Sequence, residues 1–185
     1  MRTNLIFVRH AHSIYTPESE LTRPLSERGK VDAGKVAKLL QNAEIDTVIA
    51  SPYLRALQTV EGVAKQLDKE VLIEEEFRER TLSENPVDDF NYAITKVWEE
   101  PEFAWEGGES NRCAQERGVR VTLQVLERSN GKTVVIGTHG NLMALIMGYF
   151  DPKYDFHFWK QLEMPDMYQL SFDGMELVEV VRLWE

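Results

Sequence analysis

Short apolar runs and longer amphipathic stretches alternate along the chain. Asn4–Val8, Asp46–Ala50, Val71–Ile73 and Lys132–Gly137 are brief and rich in aliphatic residues, the pattern of buried strands. Between and after them, residues 27–41, 51–67, 87–99, 110–128 and 140–148 repeat apolar positions at helical spacing. In the first of these helices the spacing points Val31, Val36, Leu39 and Leu40 inward. Ser51 followed by Pro52 reads as an N-cap with proline at the first helical position, and the Gly107-Gly108 turn leads into the helix from Ser110. This order predicts an α/β fold built on a mainly parallel sheet. The C-terminal region changes character. Met167–Phe172 and Glu176–Leu183 flank Asp173-Gly174, so an antiparallel hairpin is expected at one sheet edge.

At 185 residues, with 43% hydrophobic and 28% charged positions, the chain has the size and composition of one globular domain, residues 1–185, with no linker-like stretch. The longest apolar run, Ala144 to Phe150, is far below the roughly 20 residues that span a bilayer. The start of the chain lacks the pattern of a secretory signal. The lone cysteine, Cys113, has no internal disulfide partner; it points to a reducing cytoplasm and is expected as a small buried hydrophobe. A net charge of −10 argues against a nucleic-acid partner, which requires many clustered cations. It leaves room for a small phosphorylated substrate held in a local positive pocket.

Candidate chemistry falls at one kind of place. Arg9 and His10 follow the first strand, Arg55 lies in the first turn after the second, and His139 follows the strand ending at Gly137. Ligands of open α/β sheets bind beyond the carboxyl ends of the strands, so these segments are expected to meet there. Arg9 and Arg55 offer planar paired donors to phosphate oxygens. A neutral His10 can attack phosphorus through one nitrogen while the other keeps its proton on an acceptor. His139, beside a helix that starts at Gly140, can share the developing negative charge with the local N–H groups.

The residues also carry a resemblance. Phe7-Val8-Arg9-His10-Ala11-His12-Ser13 is similar to the Arg-His-Gly-x-Ser/Thr signature of the histidine phosphatase superfamily. Pro24-Leu25-Ser26-Glu27-Arg28-Gly29, Ser51 through Thr59, Phe77-Arg78-Glu79, Gly107-Gly108-Glu109-Ser110 with Arg117, and Gly137-Thr138-His139-Gly140 resemble its further motifs in order. The similarity runs over roughly residues 4 to 150. It implies a three-layer, phosphoglycerate mutase-like fold with helices on both sheet faces, a phosphohistidine on His10, no metal and no cofactor. It also implies Arg9, Arg55, His139, Ser13, Thr16 and Gly140 around the phosphate, and a carboxyl general acid carried over to Glu79. From the residues alone, any of Glu74, Glu75, Glu76, Glu79 and Glu84 could be that acid.

The chain departs from the family pattern at Ala11 (usually glycine), Thr16 (often asparagine), Asp32 (often glutamine) and Leu142-Met143 (often including an arginine). Ala11 is tolerated only if the backbone there does not need positive φ. His12 and His157 are read as non-catalytic. The aromatics of residues 85–105 are expected to pack a helix, with a small cap over the site as the other reading. A zinc site from His10, His12 and His139 is disfavoured by chain length, and neither a P-loop nor a Gly-x-Ser-x-Gly motif is present. A phosphatase is expected. A phosphomutase and a non-catalytic phosphate-binding module are the alternatives, and the short acidic stretch at 85–105 disfavours the bisphosphate a mutase must hold.

Overall fold

The computed structural model describes residues 1–15 and 19–185. Thr16 lies outside the described residues. Six strands form one sheet: β1 (Arg2–Arg9), β2 (Thr47–Ala50), β3 (Val71–Ile73), β4 (Thr133–Thr138), β5 (Asp166–Asp173) and β6 (Glu176–Arg182). Their order is β3-β2-β4-β1-β5-β6. The first four are parallel, and β5 and β6 are antiparallel at the edge, as the change of pattern near the C-terminus predicts. The hairpin turn is centred one residue later than Asp173-Gly174, on Gly174-Met175, because Asp173 still pairs with Glu176. Gly174 takes φ of +60°, a conformation that favours glycine.

Alternation along the strands explains the three layers. Leu5, Phe7, Ile49, Val134 and Ile136 face α4 (Asn111–Arg128) and α5 (Gly140–Phe150). Their neighbours Ile6, Val8, Val48, Ala50 and Val135 face α1 (Glu27–Leu39) and α2 (Leu54–Gln66). Because side chains alternate across a strand, a sheet apolar at successive positions must be covered on both faces. No helix among the described residues is long and apolar enough to cross a membrane.

Three local expectations need correction. On α1, Val31 is 63% and Leu39 48% exposed; the inward stripe is Gly29, Ala33, Val36 and Ala37, continued by Leu40. That stripe still follows helical spacing, but Gly29 and two alanines let the helix sit close. Ser51 and Pro52 do not cap α2, which begins at Leu54 after Tyr53. The Leu54 N–H is satisfied by the Leu21 carbonyl, and the Ser51 hydroxyl accepts from the Tyr53 N–H one residue ahead of the helix while also pairing with His139. Cys113 is exposed, not a buried hydrophobe, because it lies on an outward position of α4, its N–H taken by the Ser110 cap.

Within residues 85–105, α3 (Phe90–Glu99) buries Ala93, Ile94 and Val97. Trp98 stacks on Phe156 of a short helix not read from the pattern, α6 (Phe156–Gln161), at 5.4 Å between ring centroids. The Trp98 indole also donates to Asn141 Oδ1 at 3.2 Å, tying α3 to the first turn of α5.

The loop after β1 is strapped to the segment before α1. Ile14 N–H donates to the Pro24 carbonyl and Ser26 N–H to the His12 carbonyl. Gly29 completes the strap: a Cβ placed there would lie 2.0 Å from the His12 carbonyl oxygen. Gly29→Ala is therefore expected to lower unfolding stability by about 1–3 kcal/mol through backbone overpacking, measured by urea denaturation. Wild-type stability in that variant would contradict the close approach.

Candidate active site

β4 lies between β1 and β2, with Arg9 opposite Thr138 and Ala50 opposite Gly137. The next residue on each of these three strands is His10, His139 and Ser51. Pairing carries on past the strand ends, since His10 N–H donates to the Thr138 carbonyl and Ser51 N–H to the Gly137 carbonyl, each at 2.9 Å. The topology thus brings the two histidines together, with ring centroids 5.3 Å apart.

The His10 tautomer follows from its partners. Nδ1 lies 2.8 Å from the Ala11 carbonyl, which only accepts, so the neutral ring carries its proton on Nδ1. Nε2 keeps its lone pair and accepts from Arg55 Nε–H at 3.3 Å. Ala11 N–H is held by Thr59 Oγ1 at 3.0 Å, and that hydroxyl donates to the Arg55 carbonyl. Ala11 is not among the positive-φ residues, so alanine fits where the family has glycine. His10 is 5% exposed. Burial, then the neighbouring Arg55 charge, holds its pKa well below the usual imidazole value.

His139 is fully buried, its Nε2 2.8 Å from Ser51 Oγ and its ring 5.1 Å from that of Tyr53. Its Nδ1 is buried without a partner. Burial first, then His10 and Arg55, push its pKa well down. Ser51 and Tyr53 belong to the motif that carries Arg55, but neither stood out in the sequence as a support for the second histidine.

Both motif arginines are present, and each is already engaged. The Arg55 guanidinium is 2% exposed, stacks at 4.9 Å over Tyr53, and donates to the Glu20 carbonyl and carboxylate. Arg9 donates through Nη1 to the Leu162 and Glu163 carbonyls, while its Nε is buried without a partner. Gly140 leaves room for it: a Cβ there would meet Arg9 Nε at 2.8 Å. A third guanidinium, Arg23, which the sequence pattern did not single out, reaches the other Glu20 oxygen at 3.1 Å. Its charge helps to lower the pKa of both histidines. Its place just before the Pro24–Gly29 motif, which straps onto the loop after His10, was the available signal. Arg80 is buried beside Glu79.

Glu79 sits at the N-terminus of α5. Its Oε1 accepts from the N–H groups of Arg80 and Leu142, and its Oε2 from that of Asn141. Glu76 is turned elsewhere, its carboxylate paired with Arg78 and Arg120. The loop between them is fixed by Arg117, which grips Glu109 through two bonds of 2.7 and 2.8 Å and donates to the Glu76 and Arg78 carbonyls. Thr138 adds a bond to the Phe77 carbonyl. Ser13 pairs with Leu25 in an isolated bridge. His12 pairs with Ser26, and His157 is exposed beside Gln161. Among the described residues no group of three His, Cys, Asp or Glu could hold a metal ion.

The two buried imidazoles make stability depend on pH. Each has a folded pKa below its unfolded value near 6.5. The unfolded chain therefore binds protons that the folded one refuses once pH falls below that value. Above it these groups contribute no pH dependence; below it, unfolding free energy should drop by up to about 1.4 kcal/mol per pH unit for each histidine. Urea denaturation from about pH 8 to pH 5 checks this. His139→Gln should show a shallower slope, and identical slopes would contradict a neutral buried His139.

Comparison with known proteins identifies the family. Residues 5–176 match the histidine phosphatase superfamily (branch 1). Phosphoserine phosphatase 1 of Hydrogenobacter thermophilus is 30% identical over 147 residues, 73% of this chain and 70% of that protein. The structure of Bacillus stearothermophilus YhfR superposes with a TM-score of 0.79 at 25% identity, covering 95% of this chain and 94% of that one. A mycobacterial glucosyl-3-phosphoglycerate phosphatase gives a TM-score of 0.78 at 21% identity over 98% and 97% of the two chains. The chain belongs to the histidine phosphatase superfamily and is a phosphoric monoester hydrolase of that family.

Proposed function

We propose that the enzyme hydrolyses small phosphate monoesters through a phosphohistidine on His10 Nε2. The observation that carries this reading is the tautomer. With Nδ1–H fixed on the Ala11 carbonyl, the lone pair is on Nε2, beside the Arg55 guanidinium. The lowered pKa keeps that lone pair free of a proton at neutral pH.

In the first step Nε2 attacks phosphorus and the P–O bond to the leaving group breaks, its electron pair going to the leaving oxygen. Arg55 Nε–H, now on Nε2, turns onto a phosphoryl oxygen as the N–P bond forms. Arg9 and Arg55 balance the charge on the equatorial oxygens, the task that guanidinium groups perform here in place of a metal ion. His139 donates from Nδ1 when Ser51 donates to its Nε2, which satisfies a buried N–H that has no protein partner. Gly140, at the α5 N-terminus, adds the positive end of the helix dipole. Glu79, entering the cycle as the carboxylic acid, supplies its proton to the leaving oxygen and becomes the carboxylate. In the second step water attacks phosphorus, gives its proton to Glu79, and the N–P electron pair returns to His10, releasing orthophosphate. Phosphoserine, the substrate named for the relative at 30% identity, is the first monoester to test.

The acid role has a specific signature. Glu79→Gln should lower kcat/KM for phosphoserine, whose alkoxide needs a proton, by about 10²–10⁴. With p-nitrophenyl phosphate, whose leaving group needs little protonation, the loss should be much smaller. Equal losses on both substrates, followed by phosphate release, would remove Glu79 from the acid role.

A further inference from the structure

Glu20 is placed where a substrate would be expected. Its Oε2 lies 2.9 Å from Arg55 Nη2 and its Oε1 3.1 Å from Arg23 Nη1, so one carboxylate spans two guanidinium groups. The same Arg55 presents its Nε to the His10 lone pair at 3.3 Å. An anion on the outer edge of that guanidinium is therefore one hydrogen-bonding group away from the nucleophile. We infer that Glu20 is the pocket's resident anion, displaced when a phosphoryl group arrives, and that Arg23 is then a third phosphate-binding arginine. The inference rests on the phosphate site proposed above and extends it to two residues that lie outside the segments resembling the family's motifs.

The burial of the three groups decides which of them moves. Arg55 is 2% exposed and Arg23 15%, whereas the Glu20 side chain is 53% exposed and can swing into water. Two arginines left without an anion in that setting would repel each other at low dielectric, so the carboxylate keeps them in place and aimed. Displacement need not disturb Arg55, because its Nη1 is held independently by the Glu20 main-chain carbonyl at 2.8 Å. Arg23 is also held from outside, its guanidinium 5.8 Å from the centre of the Tyr15 ring. The reach of its charge to His10 and His139 places it in the field that a phosphohistidine would feel.

The exchange also selects among anions. A tethered carboxylate acts at high effective concentration, so a free monoanion with the same number of charges gains little by replacing it. A phosphoryl group brings more charge and an additional oxygen, and it reaches Arg9 and His139 as well. Glu20 would thus exclude carboxylates and other monoanions from the nucleophile while yielding to phosphate.

The test is orthophosphate binding by isothermal titration calorimetry, which does not depend on turnover. Glu20→Gln keeps the shape of a half-exposed side chain and removes its charge. It should bind orthophosphate about tenfold more tightly than wild type, the scale of one charged hydrogen bond. Adding Arg23→Ala to Glu20→Gln, where no resident carboxylate offsets the change, should weaken binding about tenfold relative to Glu20→Gln alone. Acetate should compete with orthophosphate in Glu20→Gln and not in wild type. Unchanged or weaker orthophosphate binding in Glu20→Gln would overturn the resident-anion assignment. A double variant equal to Glu20→Gln would overturn the role of Arg23, and thermal melts of each variant separate these results from misfolding. Wild-type protein that binds orthophosphate yet hydrolyses no monoester would count against the proposed mechanism, not against the exchange.

Discussion

Positive charge crowded into a poorly hydrated space is the constraint to which this end of the molecule answers. The charges of Arg9, Arg55 and Arg23 all act on the buried His10, and burial lowers the pKa of Arg9, Arg55 and both histidines. The histidines respond by staying neutral, which in the proposed mechanism leaves His10 free to act as the nucleophile. The arginines cannot lose their protons, so they must be balanced. Glu20 sits on Arg55 and Arg23, and the Glu79 and Asp166 carboxylates act on Arg9.

The fold meets this demand with backbone as much as with side chains. Setting β4 between β1 and β2 makes three strand ends adjacent, so His10, His139 and Ser51 come together by register alone. The remaining pieces are brought in by ties from outside the sheet. Asp166, buried at the start of β5, grips Arg182 and the Glu163 N–H, and Arg9 then bonds to the Leu162 and Glu163 carbonyls. On the other side Arg117 locks the loop that ends in Glu79, and Glu79 accepts from the first turn of α5, whose cap residue is His139. Glu79 and His139 are thereby fixed to the same helix terminus.

The sheet was legible because its strands are apolar on both faces and its hairpin alternates around a glycine turn; these are signals that tertiary context reinforces. The inward face of α1 was less so. Counting large apolar residues favoured Val31 and Leu39, but close packing against α2 and the His12 carbonyl selected Gly29 and small alanines instead. The Ser51-Pro52 pair placed the turn but not the helix start: Ser51 bonds the Tyr53 N–H and His139 together, and the helix opens only at Leu54. The aromatic run at 156–159 was too short for its period to declare a helix. At the site, His10, Arg9, Arg55 and His139 could be read because each sits in a motif at a strand end. Arg23 had only its place before the Pro24–Gly29 motif as a signal and Glu20 had none, since the contact that joins them to Arg55 forms across 35 residues of sequence between Glu20 and Arg55.

Nucleophilic attack by His10 Nε2 is the step on which the proposed chemistry stands. Rapid quenching of the enzyme with ³²P-labelled phosphoserine, followed by peptide mapping, tests it directly. A phosphoryl group that is stable to base, labile to acid, located on His10 and absent from His10→Ala is the predicted result. Full turnover in His10→Ala, or label found on another residue with His10 unmodified, would contradict it.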